Sequence, residues 1–266
     1  MSEGFVFGQY FPGESVVHHL DARTKLIGAL CAIVVGFCAK TPVALAVCAI
    51  FTMVLYALAH IPVRVAVRSI APLSVVALIT VLLNVLFTNS GAPLVVLGPL
   101  CITDAGVHNA LFFGVRLLVF LAIMCLLTLT TSPLDITDAS EALLSPLMRV
   151  GVPVHELAMM AGIALRFIPQ FAAEFQQIRR AQESRGAHLA TSGRGRMEGL
   201  SALVVPLFSG VFRRADTLAA AMDARCYQGG GGRSHLHPLR FARRDTFAAV
   251  VLVAFLVVVL ACNLLA

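Results

Sequence analysis

A chain of 266 residues that is 59% hydrophobic and only 13% charged, with a mean hydropathy of +0.89, is not a soluble globular domain, in which about a quarter of the residues are charged. Several apolar runs approach the length of a bilayer crossing, so the chain reads as an integral membrane protein. The net charge of +6 does not mark a nucleic-acid binder, because the basic residues are not interleaved with aromatic ones and tryptophan is absent; in a membrane protein, such charge reports which side of the bilayer a segment occupies.

Residues 1–24 are mixed and polar, with no basic stretch leading into a cleavable apolar core, so no secretory signal is expected. Hydropathy then predicts five spans, at residues 26–39, 43–59, 71–88, 107–130 and 246–266. The first covers only ~21 Å at the helical rise, so it either starts earlier or dips into the membrane without crossing. Arg116 is the one charged residue inside these spans, with Asn84 as a polar companion. A lone arginine there is more often a contact to helix ends or to a partner than part of a conduit, and no acid accompanies it for ion coupling. Cys31, Cys38, Cys48, Cys101, Cys125, Cys226 and Cys262 form no CxxC pair and lie mostly in apolar segments. There a thiol acts as a small apolar group rather than as a metal ligand or disulfide partner.

With the N-terminus in the cytoplasm, every lysine and arginine except Lys40 and Arg116 falls in a cytoplasmic segment, and the loop 89–106, which has neither, lies outside. That asymmetry predicts a multi-pass protein with its N-terminus in and its C-terminus out. The expected fold is an all-α integral membrane protein of about five transmembrane helices with a large helical cytoplasmic insert before the last span. Its parts are an N-terminal transmembrane region at 1–130, the insert at 131–245 and a C-terminal transmembrane helix at 246–266.

The insert opens with a helix that Thr137 or Asp138 can cap, with Glu141 following and Gly151 and Pro153 as the stop. A longer helix is predicted over 154–184, where Leu157, Met160, Ala164, Phe167, Phe171, Phe175 and Ile178 recur at helical spacing between polar residues. Residues 191–196, TSGRGR, read as a flexible turn before a second long helix at 197–224. Pro169 and Pro206 should kink these two helices. The stretch SALVVPLFSGVF at 201–212 is apolar nearly all round, so burial or contact with membrane helices is expected; Gly229 to Gly232 form a flexible joint back to the membrane.

One local pattern recurs. AQESRG at 181–186 and AMDARC at 221–226 both place an arginine between small residues at the end of a long helix. One such arginine is accounted for by its attraction to unpaired helix-end carbonyls. Two in matching settings read as docking points, each presenting a planar donor to a carboxylate- or carbonyl-lined groove on another protein.

Catalytic chemistry is missing. No GxxxxGK[ST] loop occurs, so the chain cannot hydrolyse ATP by itself. The pairs His18–His19 and His235–His237 lack partners at metal spacing, and no Ser/His, HExxH or paired-carboxylate constellation is found. No cofactor is expected. A stand-alone secondary transporter would need acidic or polar residues facing one another across the spans; a membrane enzyme would need a catalytic constellation; an assembly factor would need no ATPase partner.

With these features in place, the chain resembles the transmembrane T component of energy-coupling factor (ECF) transporters, the EcfT/CbiQ family. The resemblance rests on GQYFPGESVVHHLDARTKL at its start, LLTLTTSP at 126–133, GVPVHELAMMAGIALRFIPQF at 151–171, AQESRGA at 181–187, PLFSGVFRRADTLAAAMDARCY at 206–227 and GGGGR at 229–233. It implies a non-catalytic subunit of the bacterial or archaeal cytoplasmic membrane that joins two ABC-type ATPase subunits of the EcfA type, identical or a heterodimer, to a substrate-binding S component in the lipid bilayer. No nucleic-acid partner is implied. By position, the ATPase-docking residues are Ser184, Arg185 and Gly186 in the first motif and Ala224, Arg225 and Cys226 in the second. The family's motifs usually read Ala-Arg-Gly, so Ser184 and Cys226 depart from them, both toward small residues. The implied mechanism is mechanical, with Pro169 and Pro206 as helix hinges and vitamin or micronutrient uptake as the outcome. The GQYFPGES opening resembles the shared, vitamin-associated type.

Overall fold

Helix forms where the apolar runs predict it, because a chain in hydrocarbon must satisfy its backbone N–H and C=O groups internally. The computed structural model describes residues 11, 13–87, 93–97, 100–186, 194–227, 229 and 241–264. In chain order the elements are α1 (Ala22–Cys38), α2 (Pro42–Leu58), α3 (Val63–Phe87), β1 (Pro93–Leu97), β2 (Leu100–Thr103), α4 (Asp104–Thr130), α5 (Pro133–Leu144), a 3₁₀ helix (Ser145–Val150), α6 (Val154–Ser184), α7 (Arg194–Ala224) and α8 (Arg243–Leu264). The chain divides into two compact units, Met1–Ala142 with Leu239–Ala266, and Leu143–Pro238.

The first unit holds the five apolar helices α1, α2, α3, α4 and α8. By length and composition, α3, α4 and α8 can each cross a membrane, and α2 is a shorter apolar helix. The fold is that of an all-α membrane protein. One β element departs from the expected loop at 89–106: β1 and β2 pair antiparallel, from Pro93 opposite Thr103 to Leu97 opposite Leu100. Helix α3 begins at Val63 rather than near 71, since Arg64 and Arg68 lower the local hydropathy without breaking a helix. It continues through Pro72.

Lipid is as apolar as leucine, so helices associate here through close packing and hydrogen bonds rather than through a hydrophobic drive. Small residues supply the close packing. Ala32 and Ala39 at α1, Ala44 and Cys48 on α2, Val119 and Ile123 on α4, and Phe255 and Val259 on α8 form one buried cluster. Phe51 stacks on Phe255, with ring centroids 4.1 Å apart, and Phe37 meets Phe120 edge-on at 5.9 Å. Helix α3 packs chiefly on α4.

The ends of α1 show how a short helix is completed. At its start, Asp21 caps it by accepting from the Arg23 N–H, and the Asp21 N–H donates to Asp245 Oδ1 of α8 at 2.9 Å. At its far end, Asn263 of α8 donates Nδ2–H to the Cys38 carbonyl and accepts the Lys40 N–H through Oδ1, both at 2.9 Å. Arg116 of α4 donates to the Ala39 carbonyl and lies over the rings of Phe112 and Phe113. The lone intramembrane arginine is therefore a helix-end contact. Its counterpart runs the other way: Lys25 of α1 donates to the Thr130 carbonyl at the end of α4. Helices α1 and α4 are thus antiparallel and each terminates the other, whereas α1 and α8 run parallel and are tied at both ends. At 17 residues, α1 rises ~26 Å.

A second buried cluster lies at the end where α1 begins, which we call the base. Ala59, Ile61, Leu126 and Leu129 pack there with Phe11, Val17, Leu55 and Tyr56. The Phe11 N–H donates to the Leu129 carbonyl at 2.9 Å, and His18 Nε2 donates to the Phe11 carbonyl at 3.0 Å. Since a carbonyl only accepts, Nε2 carries the proton, and in the neutral ring Nδ1 accepts from the Ser15 hydroxyl at 2.7 Å. Burial holds this ring below the ordinary histidine range, against the opposing effect of the Phe11 carbonyl.

In the second unit, α6 spans 154–184 as predicted, and α7 starts at Arg194, inside the stretch read as a turn; residues 191–193 and most of the glycine run lie outside the described residues. Helix α5 begins at Pro133, not at a cap near Thr137 or Asp138. Ser132 is the start signal: its hydroxyl accepts the Asp135 N–H and donates to the Asp135 carboxylate, with Pro133 at the first helical position, where no N–H is needed. The apolar stretch 201–212 is largely exposed at Val205, Phe208 and Phe212, while Leu203 is buried.

Gly114 sets the approach of α3 to α4. A Cβ there would lie 2.5 Å from Val81 Cγ2 of α3. Gly114→Ala should lower stability by about 1–3 kcal/mol through overpacking, and Val81→Ala in the same chain should restore it. Thermal unfolding in detergent micelles checks both; an unchanged midpoint for Gly114→Ala alone would contradict the close approach.

Candidate functional site

Helices α6 and α7 are each 31 residues long, and each continues through an internal proline, Pro169 or Pro206. Among the described residues, they meet side chain to side chain around Glu174 of α6. Gly210 of α7 faces Glu174 of α6, and a Cβ at Gly210 would fall 2.7 Å from Glu174 Oε1. One turn on, Arg214 pairs with Glu174 Oε2 at 3.0 Å, reaches Gln170 Oε1 at 3.4 Å and lies over the Phe171 ring at 5.9 Å. The carboxylate contact is an ion pair rather than a well-aligned hydrogen bond, since Glu174 Oε2 lacks hydrogen-bond geometry to any donor. Sequence reading did not single out Glu174, Gly210 or Arg214. The signal was weak: an acid on the polar face of one helix and an Arg-Arg pair on another, with nothing to say that they meet.

From this contact the two helices run on by about ten residues each, ~15 Å, to Ser184 and to Ala224. The six residues predicted for docking stand at these two ends, which the structure gives the same backbone geometry. At the first, the Ser184 hydroxyl donates to the Ala181 carbonyl at 2.9 Å. Arg185 is the C-cap, its N–H directed to the Ala181 and Gln182 carbonyls. Gly186 takes a left-handed φ of 80° and donates to the Glu183 carbonyl at 3.1 Å. At the second, Ala224 is the last helical residue and Arg225 follows it. Cys226 has a φ of 56° and donates to the Asp223 carbonyl at 2.9 Å, and the Tyr227 N–H donates to the Met222 carbonyl at 3.1 Å. This is a Schellman closure, with the left-handed residue just past the cap.

The consequence is a pair of arginines held at helix ends by the backbone alone. Arg185 and Arg225 are both exposed, and among the described residues neither guanidinium joins an ion pair. Glu183 is occupied by Arg179 of the preceding turn at 2.9 Å, so the acid two positions before Arg185 does not neutralise it. Each tip leaves a planar cation exposed. Neither tip has a nucleophile with a base beside it, and no group of His, Cys, Asp or Glu able to hold a metal occurs among the described residues.

Pro169 and Pro206 occupy equivalent places. Each lies about one turn before the contact, Pro169 ahead of Gln170–Glu174 and Pro206 ahead of Gly210–Arg214. The halves of α6 and α7 preceding the prolines carry exposed apolar side chains, Leu157 and Met160 on one and Leu200 and Val205 on the other.

With this geometry in view, the sequence was compared with known proteins. Residues 13–237 match the family model CbiQ, described as a cobalt transport protein. The chain is similar to the energy-coupling factor transporter transmembrane protein EcfT of Thermosediminibacter oceani, 43% identical over 244 residues that cover 91% of this chain and 92% of that one. It is 39% identical to the protein of the same description from Acidaminococcus fermentans over 258 residues, 97% of this chain and 96% of the other. The corresponding protein of Bacillus subtilis strain 168 is 38% identical over 255 residues.

Cys226 holds a conformation that costs an L-residue with a Cβ roughly 1–2 kcal/mol, whereas Gly186 adopts its equivalent freely. Cys226→Gly should therefore stabilise the second tip by about 1 kcal/mol and slow amide exchange at Tyr227, whose N–H closes the cap. Hydrogen exchange on the purified chain measures this; faster exchange at Tyr227 would show that the thiol contributes more than it costs.

Proposed function

The chain belongs to the CbiQ family, and from that premise we propose that it is the coupling subunit of an energy-coupling factor importer. In this reading it carries no motor and performs no catalysis. It receives the stroke of two ABC-type ATPases and passes it to a separate S component that binds the substrate in the membrane. The unit holding α6 and α7 lies in the cytoplasm, with the N-terminus inside and the C-terminus outside, a placement supported by the distribution of lysine and arginine.

The observation that carries the reading is the matched pair of tips. Ser184-Arg185-Gly186 and Ala224-Arg225-Cys226 share a cap geometry and present their arginines at similar distances from one contact between the helices. Such a pair suits two grooves on two related subunits, one per tip. The exposed apolar residues Leu157, Met160, Leu200 and Val205 suit a partner lodged in lipid, where their burial replaces contact with water or headgroups. Pro169 and Pro206 remove a backbone hydrogen bond one turn before the helix–helix contact. The tip-side halves can therefore move with the ATPases while the other halves tilt against the S component. Vitamin or micronutrient uptake follows as the outcome, with specificity residing in the S component.

Affinity purification of the tagged chain from its native host should bring down two nucleotide-binding subunits and a small membrane protein. The chain reconstituted alone should neither move solute nor hydrolyse ATP, and either activity would refute this reading. Arg185→Glu and Arg225→Glu should each leave membrane insertion intact while weakening ATPase capture by about 2–5 kcal/mol, the usual loss when one side of a buried interfacial charge pair is reversed. Replacing Pro169 and Pro206 together by Ala should preserve ATPase capture and reduce uptake in proteoliposomes; full transport by that double variant would exclude the hinge role.

A further inference from the structure

The insert joins the rest of the chain at two places. Within the first unit, the chain runs from α4 toward the insert through Thr130–Asp135 and comes back into α8 through residues 241–245. Both junctions are held by one stretch of sequence, residues 11–25. Lys25 Nζ donates to the Thr130 carbonyl and to the His18 carbonyl, each at 2.9 Å, closing the exit junction onto the N-terminal turn. The Phe11 N–H reinforces it through the Leu129 carbonyl. At the return junction, the two oxygens of Asp245 divide their work: Oδ1 accepts the Asp21 N–H at 2.9 Å, and Oδ2 accepts the Ala242 N–H at 2.8 Å. Arg23 lies over the Phe241 ring at 5.6 Å.

The acceptor side of both junctions is withdrawn from solvent. Asp245 is 4% exposed, Thr130 3% and Thr131 2%. A half-buried ammonium shared between two backbone carbonyls is not the surface snorkelling of an ordinary membrane-flanking lysine. Helix-end satisfaction accounts for the bond to Thr130. It does not account for the bond from the same ammonium to the His18 carbonyl, nor for the return junction being pinned by the neighbouring cap residue.

We propose that residues 11–25 form a junction lock, with Lys25 and Asp245 as its positioning residues, that holds the exit and return of the insert at fixed spacing. This rests on the coupling reading above and adds to it. A stroke received by α6 and α7 does useful work only if it is not absorbed by unwinding where the chain enters and leaves the membrane helices. The lock prevents that loss.

Two measurements test this. Hydrogen exchange on the purified full chain in detergent needs no partner: Lys25→Met and Asp245→Asn should each speed exchange at both 130–135 and 241–246 by about tenfold or more, as expected when a charge-assisted hydrogen bond in a cooperative unit is lost. Lys25→Arg, which keeps two donors, should stay within about twofold of the parent chain. A change confined to the substituted residue's own junction overturns the lock, and Asp245→Asn decides the matter if Lys25→Met does not fold. In the assembled transporter in proteoliposomes, Lys25→Met should leave ATP hydrolysis near the parent rate and lower substrate moved per ATP by about tenfold; an unchanged ratio also overturns the proposal. If the parent chain captures no ATPases, the coupling reading fails, while the exchange result still decides whether the two junctions are locked together.

Discussion

The first membrane unit depends on completing α1. A helix of 17 residues leaves its last carbonyls and first N–H groups unpaired, and in an apolar surrounding each unpaired group costs several kcal/mol. The chain meets this with side chains from two other helices. Arg116 of α4 and Asn263 of α8 close the far end, while Asp245 of α8 ties down the near end through the Asp21 cap. The order of the bundle follows from these bonds, because α8 can serve both ends of α1 only by running parallel to it, and α4 can exchange end contacts with α1 only by running antiparallel. This also settles the role of Arg116. It is engaged with the Ala39 carbonyl and two aromatic faces.

Most helices were legible in the sequence because periodicity and hydropathy are local signals. The long helices α6 and α7 and their arginine-bearing ends follow from spacing, and α6 agrees with expectation at both ends. Where local signals competed, the reading failed. Ser132–Pro133 is a strong helix start, but it sits at the end of an apolar run that was read as a span. The two paired strands carry Val95, Val96, Ile102 and Thr103, β-branched residues that in so apolar a chain pass for part of a loop. Arg64 and Arg68 lowered hydropathy and concealed the first turns of α3. The contacts among Asp21, Lys25, Arg116, Asp245 and Asn263 were beyond reach, since they join residues far apart in sequence and each residue alone has an ordinary explanation. The same holds for Glu174, Gly210 and Arg214.

The two tips show how little of a shared helix end need be chemical identity. Gly186 and Cys226 differ in side chain and in the ease of reaching positive φ, yet both take it and both direct their N–H to the carbonyl three residues back. What is shared is a shape: a helix closed by a left-handed residue with an arginine at the cap. A non-glycine residue persists in such a conformation only where its surroundings determine it. At the second tip that determination comes from the Tyr227 N–H reaching back to Met222, so the backbone rather than the thiol specifies the motif.

Stiffness is distributed unevenly, and the distribution is informative. The bonds at the base are part-buried and end on acceptors at Asp245 and Thr130 that are withdrawn from solvent, where an unpaired partner is costly. At the contact between α6 and α7 the side chains of Arg214 and Glu174 are 41% and 23% exposed, so their ion pair contributes at most about 1 kcal/mol. Gly210 leaves room beneath the Glu174 carboxylate, and the prolines weaken the helices one turn before it. That contact has the properties of a pivot, close enough to keep two long helices together and weak enough for them to turn on one another. In the coupling role proposed above, a stroke at one end of α6 and α7 would tilt the other end about this contact. The part-buried hydrogen bonds are at the base and the exposed one lies between α6 and α7, so the two contacts differ in how much it costs to break them.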